Sequence, residues 1–159
     1  MIPLKFNLAS QPFSPNFDSL PVGSSERFIH GCWQLRLMRL HAFAHECQEK
    51  LQDTYNHINQ GIGVQTVYVD LLSLGQDYQN EHQLLNIIRD SNQAYWIWFT
   101  NCEALLDMSF AGWLRSVLTT SDIEHIRVVF LLNSQDLYNN VFQRYSAPLY
   151  KATTALQIH

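Results

Sequence analysis

Three stretches of the chain are apolar almost without interruption. They are 64–72 (VQTVYVDLL), 94–100 (AYWIWFT) and 126–132 (IRVVFLL). Runs of this length, rich in β-branched and aromatic residues, predict strands buried on both faces of a sheet. Between them the period lengthens. Leu84, Leu85, Ile87 and Ile88 predict a helix over 81–90. Leu105, Phe110, Trp113, Leu114 and Val117 predict another over 105–119. Trp33, Leu37, Leu40, Ala44, Cys47 and Leu51 step by fours and threes, which predicts one long helix over 33–56. A short strand is expected before it at 27–31, a short helix at 136–145, and a last strand at 155–159. Strands that alternate with helices imply right-handed βαβ crossovers. The expected fold is therefore α/β, three-layered, with a mainly parallel five-stranded sheet and helices on both faces.

Residues 1–26 break this pattern. They hold four of the five prolines (Pro3, Pro12, Pro15 and Pro21), with Phe6, Phe13 and Phe17 spaced among them. Proline is poorly tolerated inside helices and central strands. An irregular N-terminal arm followed by a single domain over 27–159 is expected. No internal repeat or low-complexity tract is present.

Composition narrows the function. The chain has 159 residues, a formal net charge of −4, 47% hydrophobic and only 15% charged residues. No Lys/Arg run occurs, so the basic stripe that supports autonomous nucleic-acid binding is missing. A weakly charged surface opposes association little, which favours a protein partner or self-association. The longest apolar runs are far short of the ~20 residues of a membrane helix, so membrane insertion is not expected. The cysteines Cys32, Cys47 and Cys102 are odd in number and form no C-x-x-C pair. They read as buried thiols of a reducing, cytoplasmic compartment.

Ligands of parallel α/β sheets gather at the carboxyl ends of the strands. With a first strand at 27–31, the next residues are Gly31-Cys32-Trp33-Gln34-Leu35-Arg36-Leu37-Met38. The strand ending AYWIWF leads into Thr100, Asn101, Cys102 and Glu103. IRVVFLL leads into Asn133 and Ser134, and Tyr145-Ser146-Ala147-Pro148-Leu149-Tyr150 follows. This layout resembles the core of P-loop ATPases of the AAA+ and STAND classes, and S-A-P-L-Y resembles a turn found before their fifth strand. The resemblance covers about residue 27 to the C-terminus, and rests on element order more than on identities.

The resemblance implies a degenerate nucleotide site. Gly31 matches the first glycine of G-x-x-x-x-G-K-[ST], but Arg36, Leu37 and Met38 replace the second glycine, the lysine and the hydroxyl residue. Those types are needed for backbone approach to phosphate, for charge at the β/γ phosphates and for Mg²⁺. Thr100 and Asn101 stand where the resemblance places the acidic pair, and Asn133 at a sensor-like position. Glu103 lies two residues beyond the pair and reads as a first-turn acid behind an Asn101 N-cap. The helical lid of those ATPases is not expected. No cofactor is expected.

The residues offer little other chemistry. His41 and His45 would share one face of the expected long helix, but no third metal ligand can be named. His30 would end the expected first strand beside Gly31. No G-x-S-x-G elbow occurs, and Gly61–Gly63 precede a strand rather than a helix. Asp70, ending the 64–72 strand, is the best-placed single acid. The expected function is a non-catalytic protein-binding or regulatory module, an ATPase-like scaffold in a larger DNA-processing, secretion or defence assembly. The alternative is a small enzyme with its site at the strand ends. Candidate partner contacts are Phe6, Phe13, Phe17, Tyr138, Tyr145 and Tyr150.

Overall fold

The structure, a computed structural model, describes residues 20–90, 92–119 and 123–156. Five strands form one sheet: β1 (Arg39–Phe43), β2 (Gln65–Asp70), β3 (Tyr95–Thr100), β4 (Ile126–Leu132) and β5 (Thr154–Ala155). Their order is β2-β3-β4-β1-β5, and every pairing is parallel. The helices are α1 (Ser25–Gln34), α2 (Glu49–Gly61), α3 (Leu71–Gly75), α4 (Gln83–Arg89), α5 (Met108–Thr119) and α6 (Gln135–Tyr138), the last continuing as a wide turn over Asn139–Gln143. Short 3₁₀ turns lie at Tyr78–Asn80 and Cys102–Leu106. This is the expected three-layer α/β architecture.

The period-two alternation of the strands divides the interior into two cores. Trp96 and Trp98 of β3, Val129 and Leu131 of β4, and Leu40 and Ala42 of β1 pack with Ile29, Cys32 and Trp33 of α1 and Tyr55 of α2. Ile97, Phe99, Val128, Phe130 and Leu132 face the other way, onto α3, α4, α5 and α6 through Leu71, Leu84, Phe110, Leu114 and Leu137. β4 is buried at every residue because it has neighbours on both edges and helices on both faces.

One expectation fails at the start of the domain. Residues 33–56 are not one helix, and 27–31 is not a strand. Residues 25–34 form α1, the chain turns, and β1 runs through the middle of the expected helix. The apolar stripe that suggested a helix is shared by three elements. Leu40 belongs to β1, Cys47 to the following turn and Leu51 to α2. In β1, Leu40 and Ala42 point to one core while His41 packs on Tyr138 and Phe142 of the other layer.

α1 begins with Ser24, whose side chain accepts from the Arg27 N–H at 3.1 Å. It ends with Arg36 in the left-handed region (φ 60°) while the Leu37 N–H returns to the Cys32 carbonyl. That 6→1 bond is the Schellman way of satisfying terminal carbonyls. Arg127 of β4 completes the end. It is 2% exposed, lies 4.4 Å over the Trp33 ring, and donates to the Cys32, Trp33, Glu124 and Ile126 carbonyls.

α2 has no side-chain cap, whereas α3, α4, α5 and α6 start on side-chain bonds to their first amides. Asp70 accepts from Leu72 and Ser73, Glu81 from Gln83 and Leu84, Asp107 from Ser109 and Phe110, and Ser134 from Leu137. The α5 cap is thus Asp107. Asn101, expected to cap, makes no side-chain cap bond to the turn it precedes.

All three cysteines are free and fully buried. Burial pushes Cys32 up to about 12 and Cys47 up to about 11. Cys102 is pushed up as well, first by burial and then by the charge of Glu103. At pH 8 a thiol of pKa about 11 is about one part in a thousand thiolate, the reactive form. Iodoacetamide at pH 8 should therefore leave the native protein unlabelled and add three adducts in guanidinium, read by intact mass. Rapid labelling of any one thiol under native conditions would contradict this packing.

Candidate functional site at the carboxyl ends of the strands

The carboxyl ends of β2, β3, β4 and β1 carry Asp70, Thr100 with Asn101, Asn133 with Ser134, and Ala44 with His45. The edge is irregular in its chemistry, and each end is best taken with its local bonds.

Asp70 and Asn101 link the ends of β2 and β3 through their side chains. Thr100 pairs with Asp70 in the ladder, so the next residue on β3 stands beside the Asp70 carboxylate. Asn101 adopts a left-handed conformation (φ 52°), which Asn tolerates well. Its amide donates to Asp70 Oδ1 at 2.9 Å. That bond first, and the Ser73 and Leu72 N–H groups after it, hold Asp70 below the usual carboxylate range against an opposing effect of desolvation. A carboxylate already engaged by three donors and exposed to water is a poor general base and cannot act as an acid near neutrality. It reads as a helix cap that also ties β2 to β3.

A cleft of about 360 Å³ opens beside Asp70, lined also by Tyr68, Ser73, Asp77, Glu81 and Leu84. Its carboxylates are engaged locally: Asp77 accepts from Asn80 and Glu81 caps α4. Among the described residues no group of three or more His, Cys, Asp or Glu side chains could hold a metal ion. His41 and His45 lie on a strand and the turn after it, not on one helix. His41 is nearly buried, with Nδ1 2.8 Å from Thr153 Oγ1 and its ring 4.5 Å from Tyr138. Burial lowers its pKa, which keeps it neutral. His45 is exposed, 3.5 Å from Glu46. His30 lies within α1.

The positions expected to match a phosphate loop are elsewhere. Gly31 is buried inside α1, Arg36 is the residue just past its end, and Leu37 and Met38 lead into the amino end of β1. They sit at the opposite edge of the sheet from Asp70, Asn101 and Asn133. The physical cause is the shifted first strand. Trp33 is a core residue beneath Arg127, and none of Trp33, Leu37 or Met38 plugs a cleft at the carboxyl edge.

The connection that does follow β1 is residues 44–48. Three of its amides are engaged: Ala44 donates to the Leu132 carbonyl, and Glu46 and Cys47 both donate to the Phe43 carbonyl. Gln52 and Gln48 side chains close the turn on the Cys47 and His45 carbonyls. Glu46 and Glu49 bring negative charge to the start of α2, whose first residue is Glu49. An anion needs outward amides and a positive helix end. Here three amides of the turn are already engaged, and Glu46 and Glu49 oppose the positive end of α2.

The carboxyl edge is apolar instead around the Cys102–Leu106 turn. Leu72 (47%), Leu106 (55%) and Met108 (53%) are among the most exposed large apolar residues described. Two shallow depressions flank the turn. One is lined by Leu72, Gln76, Glu103 and Asp107. The other is lined by Leu106, Met108, Arg144 and Pro148. Tyr145, beside the second, is 87% exposed with its ring 5.5 Å from Tyr150. Ser146-Ala147-Pro148-Leu149-Tyr150 forms successive turns that lead to β5, with Leu149 buried. Tyr138 is drawn inward onto His41 and Phe142. Phe6, Phe13 and Phe17 lie outside the described residues. The exposure of Leu72, Leu106 and Met108 had no signal in the sequence, because each residue fits the apolar periodicity of an element that elsewhere buries its apolar members.

Comparison with protein-family models, with curated proteins and with solved structures finds no match. Among the described residues no helix is long and apolar enough to cross a membrane.

Proposed function

We propose that this chain is a non-catalytic protein-binding module that keeps the layout of a P-loop-type ATPase core without its nucleotide chemistry. The observation that carries the reading is the turn after β1, where the Ala44, Glu46 and Cys47 amides are taken up by the Leu132 and Phe43 carbonyls and acidic residues stand at the helix start. The strand order supports the layout: β1 lies centrally between β4 and β5, with β3 and β2 beyond β4. With β1 at Arg39–Phe43, the spacing of G-x-x-x-x-G-K-[ST] falls on residues 44–51. Ala44 and Glu49 then stand for the glycines, Lys50 for the lysine and Leu51 for the hydroxyl residue. One of four positions keeps its chemical type, and a lone lysine does not replace a phosphate cradle.

The exposed apolar residues of the carboxyl edge support the binding half of the proposal. A single exposed apolar residue is ordinary, but three that line two depressions flanking the Cys102–Leu106 turn fit an interface anchor. The partner would present apolar side chains to Leu72, Leu106 and Met108. Buried, free thiols agree with a cytoplasmic setting.

Calorimetric titration with Mg-ATP tests the first half. No heat of binding is expected at millimolar nucleotide, and micromolar affinity that disappears in Lys50→Ala would overturn the reading. Affinity capture from the native cell tests the second half, with wild type against Leu106→Glu/Met108→Glu. A protein retained by the wild type and lost at least tenfold on the variant is expected. Identical retention on both would remove this surface from consideration.

A further inference from the structure

The sheet has an unusual edge. β2 pairs with β3 on one side only, and no described strand or helix pairs with its other side. The Gln65 N–H donates to the Ala94 carbonyl at 2.9 Å, toward β3. Alternation along the strand then turns the N–H and C=O of Thr66 and Tyr68 outward. Among the described residues, nothing bonds these outward backbone groups.

Soluble proteins usually blunt such edges with lysine, proline, a bulge or an inward-pointing charge. Residues 65–69, Gln-Thr-Val-Tyr-Val, contain no charge and no proline. Thr66, Val67 and Val69 are partly exposed and Tyr68 is half-exposed at 49%. Clefts lie at both ends of the strand rather than a covering element. Gln60, Gly63, Val64, Gln65, Thr66 and Gln93 line one. The Asp70 cleft lies at the other. Tyr68 is also preorganised: its ring stacks 6.1 Å from Trp98, and its hydroxyl donates to Gln52 Oε1 and accepts from Asn56. A rigid edge loses little entropy on pairing.

We propose that β2 is a strand-addition site whose occupant is the β2 of a second copy, paired antiparallel about a two-fold axis at Val67. This goes beyond the proposed function, uses a different surface and does not depend on it. The self-pairing follows from parity and charge. Antiparallel pairing centred on Val67 sets Thr66 opposite Tyr68 of the second copy and Tyr68 opposite Thr66. All four are the residues whose backbone groups point outward, so both pairs exchange reciprocal hydrogen bonds. Val67 meets its own counterpart in a non-hydrogen-bonded pair, where side chains approach most closely and an apolar pair stabilises. The acidic end of each strand, with Asp70, Asp77 and Glu81, meets the uncharged Gln60, Gln65 and Gln93 end of the other. Parallel addition would instead bring the acidic ends together. A two-fold contact of this kind is isologous and closes, so it yields a dimer with one continuous sheet.

Sedimentation equilibrium of the full chain measures the prediction. A mass near twice 18.5 kDa is expected as concentration rises. Thr66→Pro removes an outward N–H and leaves the β3 ladder, so it should raise the dimer dissociation constant at least tenfold. Thr66→Lys should act likewise through charge, in case proline disturbs the fold, and circular dichroism checks both. Register is read with Val67→Cys. The native thiols are buried, and facing Cα atoms of about 4.5 Å separation suit a disulfide, so oxidised glutathione should yield a covalent dimer as each pair of thiols gives up two protons and two electrons. Thr66→Cys, which faces Tyr68, should not. A chain monomeric at all concentrations, a dimer indifferent to both Thr66 variants, or no cross-link through Cys at position 67 would each overturn the proposal.

Discussion

Arg127→Ala is expected to lower the unfolding free energy by about 3–5 kcal/mol, read as a fall in the urea midpoint at unchanged slope. The guanidinium is almost wholly buried and has no carboxylate within its immediate shell; Glu124 pairs with Arg36 at the surface, at 3.1 Å. Burial lowers its pKa to about 10, with small opposing effects of Cys32 and Glu124, so it remains charged near neutrality. What compensates the desolvation is donation to carbonyls at the end of α1 and before β4, and the 4.4 Å contact with the Trp33 face. The end of a helix carries partial negative charge, so a cation is favourably placed there. Truncation removes the donors and leaves a cavity under Trp33 together. Arg127→Met keeps much of the volume and loses only the donors, so about half of the alanine loss is expected. A loss under about 1 kcal/mol for alanine would show that α1 is held by its apolar face alone.

Trp98→Ala should cost a similar amount, about 3–5 kcal/mol. Trp98 is fully buried at the centre of β3. Its ring lies between Tyr68 of β2 and Tyr55 of α2, at 6.1 and 6.4 Å, and meets Trp96 edge-on at 6.0 Å. Its indole N–H donates to Asn56 Oδ1 at 2.6 Å. Asn56 in turn donates to the Tyr68 hydroxyl. The residue therefore joins a helix, an edge strand and a central strand in one aromatic and polar network. Trp98→Phe preserves the stacking and loses the hydrogen bond, for about 1–2 kcal/mol. Equal losses in the two variants would mean that the hydrogen bond, not packing, carries the contribution. Both variants also probe the β2 edge, because Tyr68 leans on the Trp98 ring.

The three central strand assignments were legible because their signal is local. A strand with sheet neighbours on both edges and helices on both faces must be apolar at nearly every residue, as β4 is, and no other element of that length has this requirement. The later helices were legible for the same reason, although their starts were not. Asp107 rather than Asn101 caps α5; Asn101 sits in the left-handed region and its amide donates to Asp70 across strands. β1 was illegible. Arg-Leu-His-Ala-Phe alternates, but two of its polar residues are buried or tied only through partners distant in sequence. Arg39 donates to Ala152 and Leu118, and His41 meets Thr153 and Tyr138. Its apolar members also fell by chance into step with those of α1 and α2, so the shorter period was hidden under the longer one. That single displacement carried the presumed phosphate loop to the wrong edge of the sheet.

From the residues alone follow the α/β class, the parallel central strands, the absence of a basic binding stripe and the buried character of the thiols. Each depends on composition or on neighbours a few positions apart. The tertiary structure alone decided which segment is β1, which turn follows it at the carboxyl edge, that Leu72, Leu106 and Met108 stay exposed, and that no described element pairs with the outer side of β2. These are properties of strand order, and strand order is set by contacts between residues far apart in the chain, which no local pattern records.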